Sequence, residues 1–532
     1  MKRFYVILFL AMLMKNIGSY AQDTTIFNAP MIIPEPVKVE LTGGYFLLNG
    51  ESVILPINKN TKNQISFLRG YLSQFYGLEL KRGKKNSKSN YIELIIDERV
   101  SAKEGAYTLS VTSDKIIIRG YNEQGLFYGV QTLIQLLPVE GNCMIPCVKI
   151  EDEPRFEYRG MHLDVVRHIF PINYIKKYID YLALHKMNYF HWHLTDDQGW
   201  RMESKSHPKL NEYGAYRDGT IIGLFPGTGV DSTRYGGFYT IKEMKEVVKY
   251  AAKRYITVVP EIDIPGHSMA ILAAYPEFGT EPDRVVKPAI TWGIYNRQNN
   301  VLAPSEPMFE FLEDVFNELM DVFPGKYIHI GADECAHKWW KTDPETQAFI
   351  KDHNLKDENG LQRYFAMRIS EVIKARGREV VGWDEIIDNG LIEGMIPMVW
   401  RNEKNAYKAI NQGHKVIFTP MNYSYLNAKQ KDKEDSLAHP MRTIKLDRVY
   451  NFEPVPDSLS KEEASLVLGG QGCMWTEYYD SPQRVDYAIF PRISALSEVY
   501  WSSKEKKNLQ NFLIKIPKQL ERYRLWGVNY FK

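Results

Sequence analysis

"YIHIGADECAHKWW", residues 327–340, joins a short apolar strand to two adjacent acids. Residues 327–330 have strand character, a glycine follows, and Asp333 and Glu334 stand side by side. Two neighbouring carboxylates disfavour each other's ionisation, and so soon after an apolar strand they are poorly placed for solvent. The stretch therefore predicts chemistry at the end of a buried strand.

This strand is one of eight that alternate with amphipathic helices beyond residue 153. The expected strands are 160–165, 188–194, 257–262, 327–330, 380–383, 395–400, 415–419 and 467–475. One example of the helices expected between these strands is 361–375, with Gly377 as its C-terminal cap. Alternating βα units favour a parallel sheet, and a count of eight favours a (β/α)8 TIM barrel over a doubly wound sheet.

The chain of 532 residues is long enough for two domains. Residues 22–153 predict a smaller α+β domain, with strands at 92–96, 107–111 and 115–119. Helices are expected around 65–75 and 126–137. Acids, histidines and aromatics are not assembled together here, so we interpret it as a supporting domain. Residues 154–532 form the expected barrel domain, with a helical C-terminal end.

The first 21 residues predict a secretory signal peptide. Lys2 and Arg3 precede an apolar run over 4–14, and cleavage is expected after Ala21. The run is too short for a membrane span, and none of comparable length follows. A lipid anchor would need a cysteine at the cleavage site, whereas the first cysteine is Cys143. We therefore expect an exported mature chain; the periplasm is favoured, and the cell surface and the medium remain open.

Composition narrows the class of partner. The net charge is only +2, from 67 basic and 65 acidic residues, which gives no support to a nucleic-acid partner.

Four cysteines are too few for a disulfide framework. Cys143 and Cys147 can pair only if Pro146 folds the chain back. Cys335 and Cys473 are expected to be buried.

Acids, one arginine and several tryptophans fall at the ends of the predicted strands. They are Asp164, Arg167, Asp196, Asp197, Glu261, Asp263, His267, Asp333, Glu334, Trp383, Asp384, Glu385, Trp400, Trp475 and Glu477. In a TIM barrel these ends form one rim, where catalysis takes place. Tryptophan faces stack on pyranose rings while carboxylates and arginine bond hydroxyls, so the rim suits a sugar.

Glycoside cleavage usually needs two carboxyl groups on opposite sides of the scissile bond. Asp333 and Glu334 are adjacent, so if both reach the ligand the strand must already have ended and turned. Both would then approach from one loop. The pair suits an acid and an orienting anion, with the nucleophile supplied from elsewhere.

Several segments together resemble the family 20 glycoside hydrolases, the β-N-acetylhexosaminidases. They are "RGMHLDVVRHIFP" at 159–171, "MNYFHWHLTDDQGWR" at 187–201, "VVPEIDIPGHS" at 258–268, "HIGADE" at 329–334, "VGWDE" at 381–385 and "GGQGCMWTE" at 469–477. The resemblance covers essentially the whole barrel. The preceding α+β domain also fits that family's usual N-terminal companion.

The resemblance implies substrate-assisted, retaining cleavage of a terminal β-linked N-acetylglucosamine or N-acetylgalactosamine, through an oxazolinium intermediate. The substrate is an oligosaccharide or glycoconjugate, and no cofactor or metal is implied. Glu334 is then the general acid and base, and Asp333 orients the acetamido group. A negative Asp333 would disfavour ionisation of Glu334 and help to keep it protonated.

Further roles are implied position by position. The residues expected to bind the sugar are Arg167, Asp196, His267, Trp383, Trp400, Tyr425, Asn427, Trp475 and Glu477. Arg167 and Glu477 would hold the outer hydroxyls, and Tyr425 would donate to the acetamido oxygen. One departure concerns Asn427, where several family members have an aspartate. It brings no negative charge to the region around O4 and O6.

Alternatives remain open at this point. A disaccharide-releasing member of the same family and a non-catalytic glycan-binding protein fit the same scaffold. A conventional two-carboxylate glycosidase would use Glu385 or Glu477 as nucleophile. His191 and His193 form an H-x-H pair of the kind that binds zinc in some barrel hydrolases, although a core role is favoured because the pair lies inside a strand. The oligomeric state is not predicted.

Overall fold

The computed structural model describes residues 30–56, 60–83, 89–388, 390–433 and 439–532. The expected signal peptide lies outside the described residues. Among the described residues, no helix is both long enough and apolar enough to cross a membrane.

The N-terminal part is a mixed seven-stranded sheet covered by two helices. Its strands are β1 (Lys38–Leu47), β2 (Val53–Pro56), β3 (Lys81–Arg82), β4 (Tyr91–Ile96), β5 (Tyr107–Val111), β6 (Lys115–Gly120) and β7 (Met144–Asp152). Their order is β1-β7-β5-β6-β4-β2-β3. Helices α1 (Lys62–Tyr76) and α2 (Glu123–Leu136) pack on it. The Asn122 side chain caps α2 by accepting from the Gly125 amide.

Eight parallel strands close into the predicted barrel. They are β8 (Tyr158–Asp164), β9 (Tyr189–His193), β10 (Thr257–Ile264), β11 (Tyr327–Gly331), β12 (Glu379–Trp383), β13 (Met395–Val399), β14 (Val416–Phe418) and β15 (Val467–Gly472). Each pairs with the next, and β15 pairs with β8. This closure confirms the (β/α)8 barrel and excludes the doubly wound sheet.

Helices surround the barrel in the expected alternation. Those of eight residues or more are Ile172–Leu184, Ile241–Ala252, Glu306–Val322, Pro344–Asp352, Glu358–Ala375, Glu403–Ile410, Pro482–Ile489, Arg492–Trp501 and Leu509–Leu525. Helix Glu358–Ala375 ends at Arg376, and Gly377 follows with φ +69°. This left-handed residue after the helix confirms the predicted stop.

The inside of the barrel is a packed core. Tyr158, Val259, Tyr327, Ile396 and Ile417 are among the buried side chains that fill it. A second, larger core lies between the barrel, its helices and the N-terminal sheet. The barrel interior is therefore filled by side chains, and a ligand can enter only from the loops at the C-terminal ends of the strands.

A buried ion pair joins the N-terminal sheet to the barrel. Lys186 Nζ lies 2.9 Å from Asp152 Oδ2, and neither side chain is exposed. Asp152 also accepts from the Tyr107 hydroxyl at 2.6 Å and the Trp501 indole at 3.0 Å. The ion pair and the hydrogen bonds to this carboxylate offset the cost of burying its charge. These contacts also join the N-terminal sheet to the barrel.

All four cysteines are free thiols, and all are buried. Cys143 immediately precedes β7 and Cys147 lies within it. An extended segment holds two such residues too far apart for a disulfide, so the fold-back at Pro146 does not occur. Cys335 and Cys473 are 7% and 0% exposed, as expected from the sequence.

Candidate active site

The backbone turns sharply between the end of β11 and the two acids. Gly331, Ala332 and Glu334 have φ values of +66°, +74° and +41°. A Cβ added at Gly331 would lie 1.8 Å from Asp263 Oδ1, so only glycine fits there. Asp333 and Glu334 consequently line the same cavity, as expected if the strand has already ended. Left-handed non-glycine residues of this kind are typical of functional sites.

The cavity holds about 180 Å³. Its lining residues are Arg167, Asp196, His267, Asp333, Glu334, Trp400, Met421, Tyr425, Asn427, Ala428, Arg442, Trp475 and Glu477. Ten of the eleven site residues predicted from the sequence are in this set. Met421, Ala428 and Arg442 were not predicted, because they belong to the region after β14, where the strand and helix patterns in the sequence are weak.

Trp383 is the predicted residue that does not line the cavity. It is 1% exposed, and its ring centroid lies 5.8 Å from that of Trp475. Its indole donates to Glu261 Oε1 at 2.8 Å, which holds the ring toward the barrel interior. Trp383 therefore supports the aromatic wall from behind, and the prediction that it forms the wall's surface is not met.

Three aromatic side chains, Trp400, Tyr425 and Trp475, form one wall of the cavity. The rings of Trp400 and Tyr425 lie 6.2 Å apart with planes 17° from parallel, and those of Tyr425 and Trp475 lie 6.3 Å apart. Trp400 is fixed by donation from Nε1 to Glu385 Oε2 at 3.0 Å. This arrangement offers several flat apolar faces around one small ligand.

Arg167 is held in place by three acceptors. Its guanidinium lies 2.6 Å from Asp196 Oδ2 and 3.4 Å from Asp164 Oδ2, and Nε donates to Gln198 at 2.9 Å. Burial raises the pKa of Glu477 to about 7, although Arg167 opposes the rise. Glu477 Oε2 is buried without a hydrogen-bond partner among the described residues. Such an atom can accept a hydrogen bond from a ligand hydroxyl.

His267 connects the two acids to a second pair of carboxylates. Nδ1 lies 3.1 Å from Asp196 Oδ1 and 2.9 Å from Asp197 Oδ2. Nε2 lies 3.5 Å from Glu334 Oε2 and 3.8 Å from Asp333 Oδ2. Burial alone would lower the pKa of His267, but Asp196 and Asp197 outweigh it and hold this pKa well above its ordinary value. His267 is therefore a cation at neutral pH.

The two acids differ in their tendency to ionise. Burial raises the pKa of Asp333 to about 6, with Glu334 adding to the rise and His267 opposing it. Burial also disfavours the Glu334 anion, but the hydrogen bond and charge of His267 outweigh this and lower the pKa of Glu334. The expectation that Asp333 keeps Glu334 protonated is thus wrong for the unliganded site, because it left out His267.

Asp333 nevertheless offers a vacant acceptor. Its Oδ1 is buried without a hydrogen-bond partner among the described residues, although the side chain lines the cavity. The Asp333 side chain is 13% exposed and that of Glu334 39% exposed. Glu334 thus remains accessible to a bulky group, whereas Asp333 can meet only a group inserted into the cavity.

A buried network of hydrogen bonds around Glu261 explains the role of the H-x-H pair, His191 and His193. His193 Nδ1 lies 2.5 Å and His191 Nε2 3.0 Å from the same oxygen of Glu261, and His329 Nδ1 lies 3.1 Å from the other. Gln471 donates to His191 Nδ1 at 2.9 Å. Both imidazoles serve the buried carboxylate, as the favoured core interpretation predicted.

Among the described residues, three groups of side chains have spacings that could hold a metal ion. They are His162–His191–Glu261, Asp196–Asp197–His267 and Asp263–His267–Asp333. In the second group both carboxylates already contact His267 Nδ1, and Asp196 also pairs with Arg167. In the third, burial and the nearby charge of Asp333 raise the pKa of Asp263 well above its usual range, which favours its proton over a cation. Hydrogen bonds and protons within the protein thus account for the last two groups.

Comparison with known families gives two matches along the chain. Residues 156–504 match the catalytic domain of glycosyl hydrolase family 20. Residues 29–153 match domain 2 of the same family.

Individual relatives agree with these matches. A beta-hexosaminidase of Porphyromonas gingivalis is 37% identical over 94% of this chain, which spans 64% of that protein's length. The structure of an exo beta-N-acetylglucosaminidase from Vibrio harveyi with N-acetylglucosamine is 31% identical, with a TM-score of 0.84, over 94% of this chain and 78% of the other. A beta-N-acetylhexosaminidase structure from Bacteroides fragilis is 30% identical, with a TM-score of 0.80, over 94% and 97%.

Proposed function

Because the chain belongs to glycosyl hydrolase family 20, we propose that it is an exo-acting β-N-acetylhexosaminidase. It removes a terminal β-linked N-acetylglucosamine or N-acetylgalactosamine from the non-reducing end of a glycan. The observation that carries this proposal is the placement of Asp333 and Glu334 on one loop of a cavity of about 180 Å³. That volume is below the roughly 300–1,000 Å³ of drug-sized pockets and suits a single sugar.

In the first step the substrate supplies the nucleophile. The oxygen of the 2-acetamido group bonds to C1 while Glu334 donates its proton to the glycosidic oxygen, and the bond from C1 to that oxygen breaks. The product is an oxazolinium ion, and the leaving sugar departs as an alcohol. Asp333 accepts a hydrogen bond from the acetamido N–H and stabilises the positive charge that develops on this group.

In the second step Glu334 acts as a base. Its carboxylate takes a proton from a water molecule, whose oxygen bonds to C1 as the acetamido oxygen leaves. Two displacements at C1 give overall retention of configuration. General acid–base catalysis of this kind contributes about 10²–10⁴-fold in rate.

Substrate binding brings the proton to Glu334. The acetamido N–H donates to the vacant Oδ1 of Asp333 and favours its ionised form, because a hydrogen bond to a charged group lowers its pKa. The resulting negative charge then disfavours ionisation of the neighbouring Glu334. The protonation order needed for catalysis is therefore created by the substrate and not by the unliganded site.

A protein carboxylate is a weaker candidate for the nucleophile. Burial together with Asp333 and Asp384 raises the pKa of Glu385 well above its usual range, and its Oε2 accepts from Trp400. Glu477 has a pKa raised to about 7 by burial. Both are poor anions at the pH where Glu334 must hold a proton, which favours the acetamido group as nucleophile.

The leaving group has its own space. A second cavity of about 530 Å³ shares Glu334 and Trp400 with the first and is also lined by Tyr295, Lys338 and Lys341. Glu334 protonates the glycosidic oxygen, so the scissile bond lies where the two cavities meet. The small first cavity favours release of one sugar over release of a disaccharide.

Export is a further part of the proposal. The basic residues at positions 2 and 3, the apolar run over 4–14 and the small residues before position 22 support a cleaved signal peptide. We propose a periplasmic location.

The function is tested with aryl substrates in the presence of EDTA. An aryl 2-acetamido-2-deoxy-β-glucoside should be cleaved and the matching aryl β-glucoside should not, since only the first carries the internal nucleophile. Release of N-acetylglucosamine from chitin oligomers, seen as a monosaccharide product, tests the exo mode. Equal cleavage of both aryl substrates, or a disaccharide product, would contradict the proposal, and loss of activity in EDTA would point to a metal-dependent hydrolase.

A further inference from the structure

A cleft of about 360 Å³ lies between the N-terminal part of the chain and the barrel. Helix α1 lines one side of it, the barrel helices Ile172–Leu184 and Ile241–Ala252 line the other, and Trp526 completes the lining. Leu184 and Arg254 both line the cleft, and each lies a few residues before the start of a barrel strand. The cleft is therefore at the N-terminal ends of the strands, at the opposite end of the barrel from the catalytic rim.

Aromatic side chains of α1 line this cleft. Phe67, Tyr71 and Phe75 occur at every fourth position, so they share one face of the helix. The Tyr71 and Phe75 ring centroids lie 4.7 Å apart, and the Trp526 indole donates to the Tyr71 hydroxyl at 2.8 Å. Phe67 and Phe75 remain half-buried, because the barrel helices do not cover them. Aromatic faces beside an open cleft can stack on the rings of a ligand.

Gly70 lies in the middle of α1 and also lines the cleft. A Cβ added there would meet no heavy atom within 4 Å beyond its chain neighbours and the backbone of its own helix. Its φ is not in the left-handed region. Packing and backbone conformation therefore do not require glycine, although glycine inside a helix is destabilising relative to alanine. The lack of a side chain does, however, keep the cleft open.

The cleft carries more positive than negative charge. Among its described lining residues Asp180 is the only acid, and it pairs with Arg254. Lys177 and Lys253 also line the cleft, and neither has an ion-pair partner in the described part of the chain. The Lys177 ammonium reaches only the Gly527 carbonyl, at 3.5 Å. Two lysines are thus available to an anionic group in the cleft.

We propose that this cleft is a second, non-catalytic binding site for an acidic disaccharide, which has two sugar rings and one carboxylate. Its volume is about 360 Å³, against about 180 Å³ for the catalytic cavity, and so suits two rings. The rings stack on the aromatic faces, and the side chains of Asn63, Ser66 and Gln74 bind hydroxyls. The lysines bind the carboxylate. This site goes beyond the proposed function and does not depend on the reaction at the rim.

The test measures binding to the whole protein by isothermal titration calorimetry. N-acetylglucosamine-thiazoline, a mimic of the oxazolinium ion, first fills the catalytic cavity. The probes are glucuronosyl-β-1,3-N-acetylglucosamine and glucosyl-β-1,3-N-acetylglucosamine, which differ only at C6 of the first ring. Neither ends in an N-acetylhexosamine at its non-reducing end, so neither is a substrate under the proposed function. We expect one acidic probe to bind per chain, and the neutral probe to bind more weakly.

Two sets of variants locate the probe. Gly70→Gln puts a side chain into the cleft and should abolish binding of both probes, with no loss in melting temperature because glutamine favours a helix. Its control, Arg69→Gln, puts the same side chain at the next, exposed position outside the cleft and should bind normally. Combined Lys177→Gln and Lys253→Gln should lower the ratio of acidic to neutral affinity about 5-fold, since exposed ion pairs are individually weak. Lys249→Gln, on the same barrel helix but outside the cleft, should leave this ratio unchanged.

Each outcome has one meaning. No binding of the acidic probe, or equal affinities in Gly70→Gln and Arg69→Gln, would overturn the site. Equal binding of the two probes, or an unchanged ratio in the double lysine variant, would overturn the acidic class of ligand. Failure of the thiazoline to bind would count against the proposed function instead, and Gly70→Gln would still show whether the probe occupies the cleft.

Discussion

His267 Nε2 lies 3.5 Å from Glu334 Oε2, so a buried imidazolium directly contacts the proposed acid. This contact lowers the pKa of Glu334, whereas burial raises the pKa of Asp333 to about 6. The unliganded pair therefore holds its last proton on Asp333. The proton must move to Glu334 when substrate binds, and this sets the expected pH behaviour.

Removal of Asp333 should move the basic limb of the pH profile. In the wild-type enzyme the singly protonated pair is lost as the pH rises through about 6, so kcat/KM should fall there. In Asp333→Asn only Glu334 holds the proton, with a pKa lowered by His267. The basic limb should shift to lower pH, and 2-acetamido substrates should react more slowly at every pH. A full pH profile of kcat/KM checks this; an unchanged rate would remove Asp333 from the mechanism.

Removal of His267 should have the opposite effect on the same limb. The imidazolium lowers the pKa of both acids, so in His267→Gln both pKa values rise. The pH range of activity should then move to higher pH. Melting temperatures must be compared, because the variant also leaves Asp196 and Asp197 without one partner. A shift to lower pH in a folded variant would show that His267 is not the cation that faces Glu334.

Loss of the acid should depend on the leaving group. Glu334→Gln cannot donate a proton, so we expect kcat/KM to fall about 10²–10⁴-fold for natural sugar leaving groups. Activated aryl groups such as 2,4-dinitrophenolate leave without protonation. For substrates with such leaving groups, kcat/KM, which reports the first step, should fall much less. Rates are measured over a series of leaving-group pKa values. Equal losses across the series would contradict the acid role.

The buried pair Lys186–Asp152 should matter for stability. Lys186→Met leaves the Asp152 charge buried without its cation, and breaking a buried pair costs about 3–5 kcal/mol in the free energy of unfolding. The matched control is Lys38→Met, which breaks a pair with Glu151 whose side chains are 60% and 62% exposed. That change should cost about 0–1 kcal/mol. Denaturant unfolding distinguishes them, and equal costs would mean that Lys186 does not stabilise the contact between sheet and barrel.

The barrel was predictable because each of its strands is a short apolar run followed by a helical pattern. The site was largely predictable for the same reason, since strand ends such as Asp333 and Trp475 meet at one rim of a closed barrel. Contacts between side chains on opposite sides of the rim could not be predicted from the sequence. The pKa order of the two acids depends on His267, which belongs to the loop after another strand.

Two further features have no sequence signal. Trp383 ends a strand like Trp400, yet its indole bonds to Glu261 in the interior, so only packing distinguishes the two. Arg442 lies in a region where the lysine-rich run 429–434 has no strand or helix period. Its place in the cavity depends on a two-residue strand pairing, Ala428–Lys429 with His439–Thr443.

The most direct test of the account replaces the acetamido group with its mono-, di- and trifluoro analogues in one aryl β-glucosaminide. Fluorine withdraws electrons from the acetamido oxygen and weakens it as a nucleophile, while the rest of the substrate keeps its shape. If that oxygen attacks C1, kcat/KM should fall steeply and steadily along the series. Rates that barely change with fluorination would show that a protein carboxylate is the nucleophile and would contradict the roles assigned to Asp333 and Glu334.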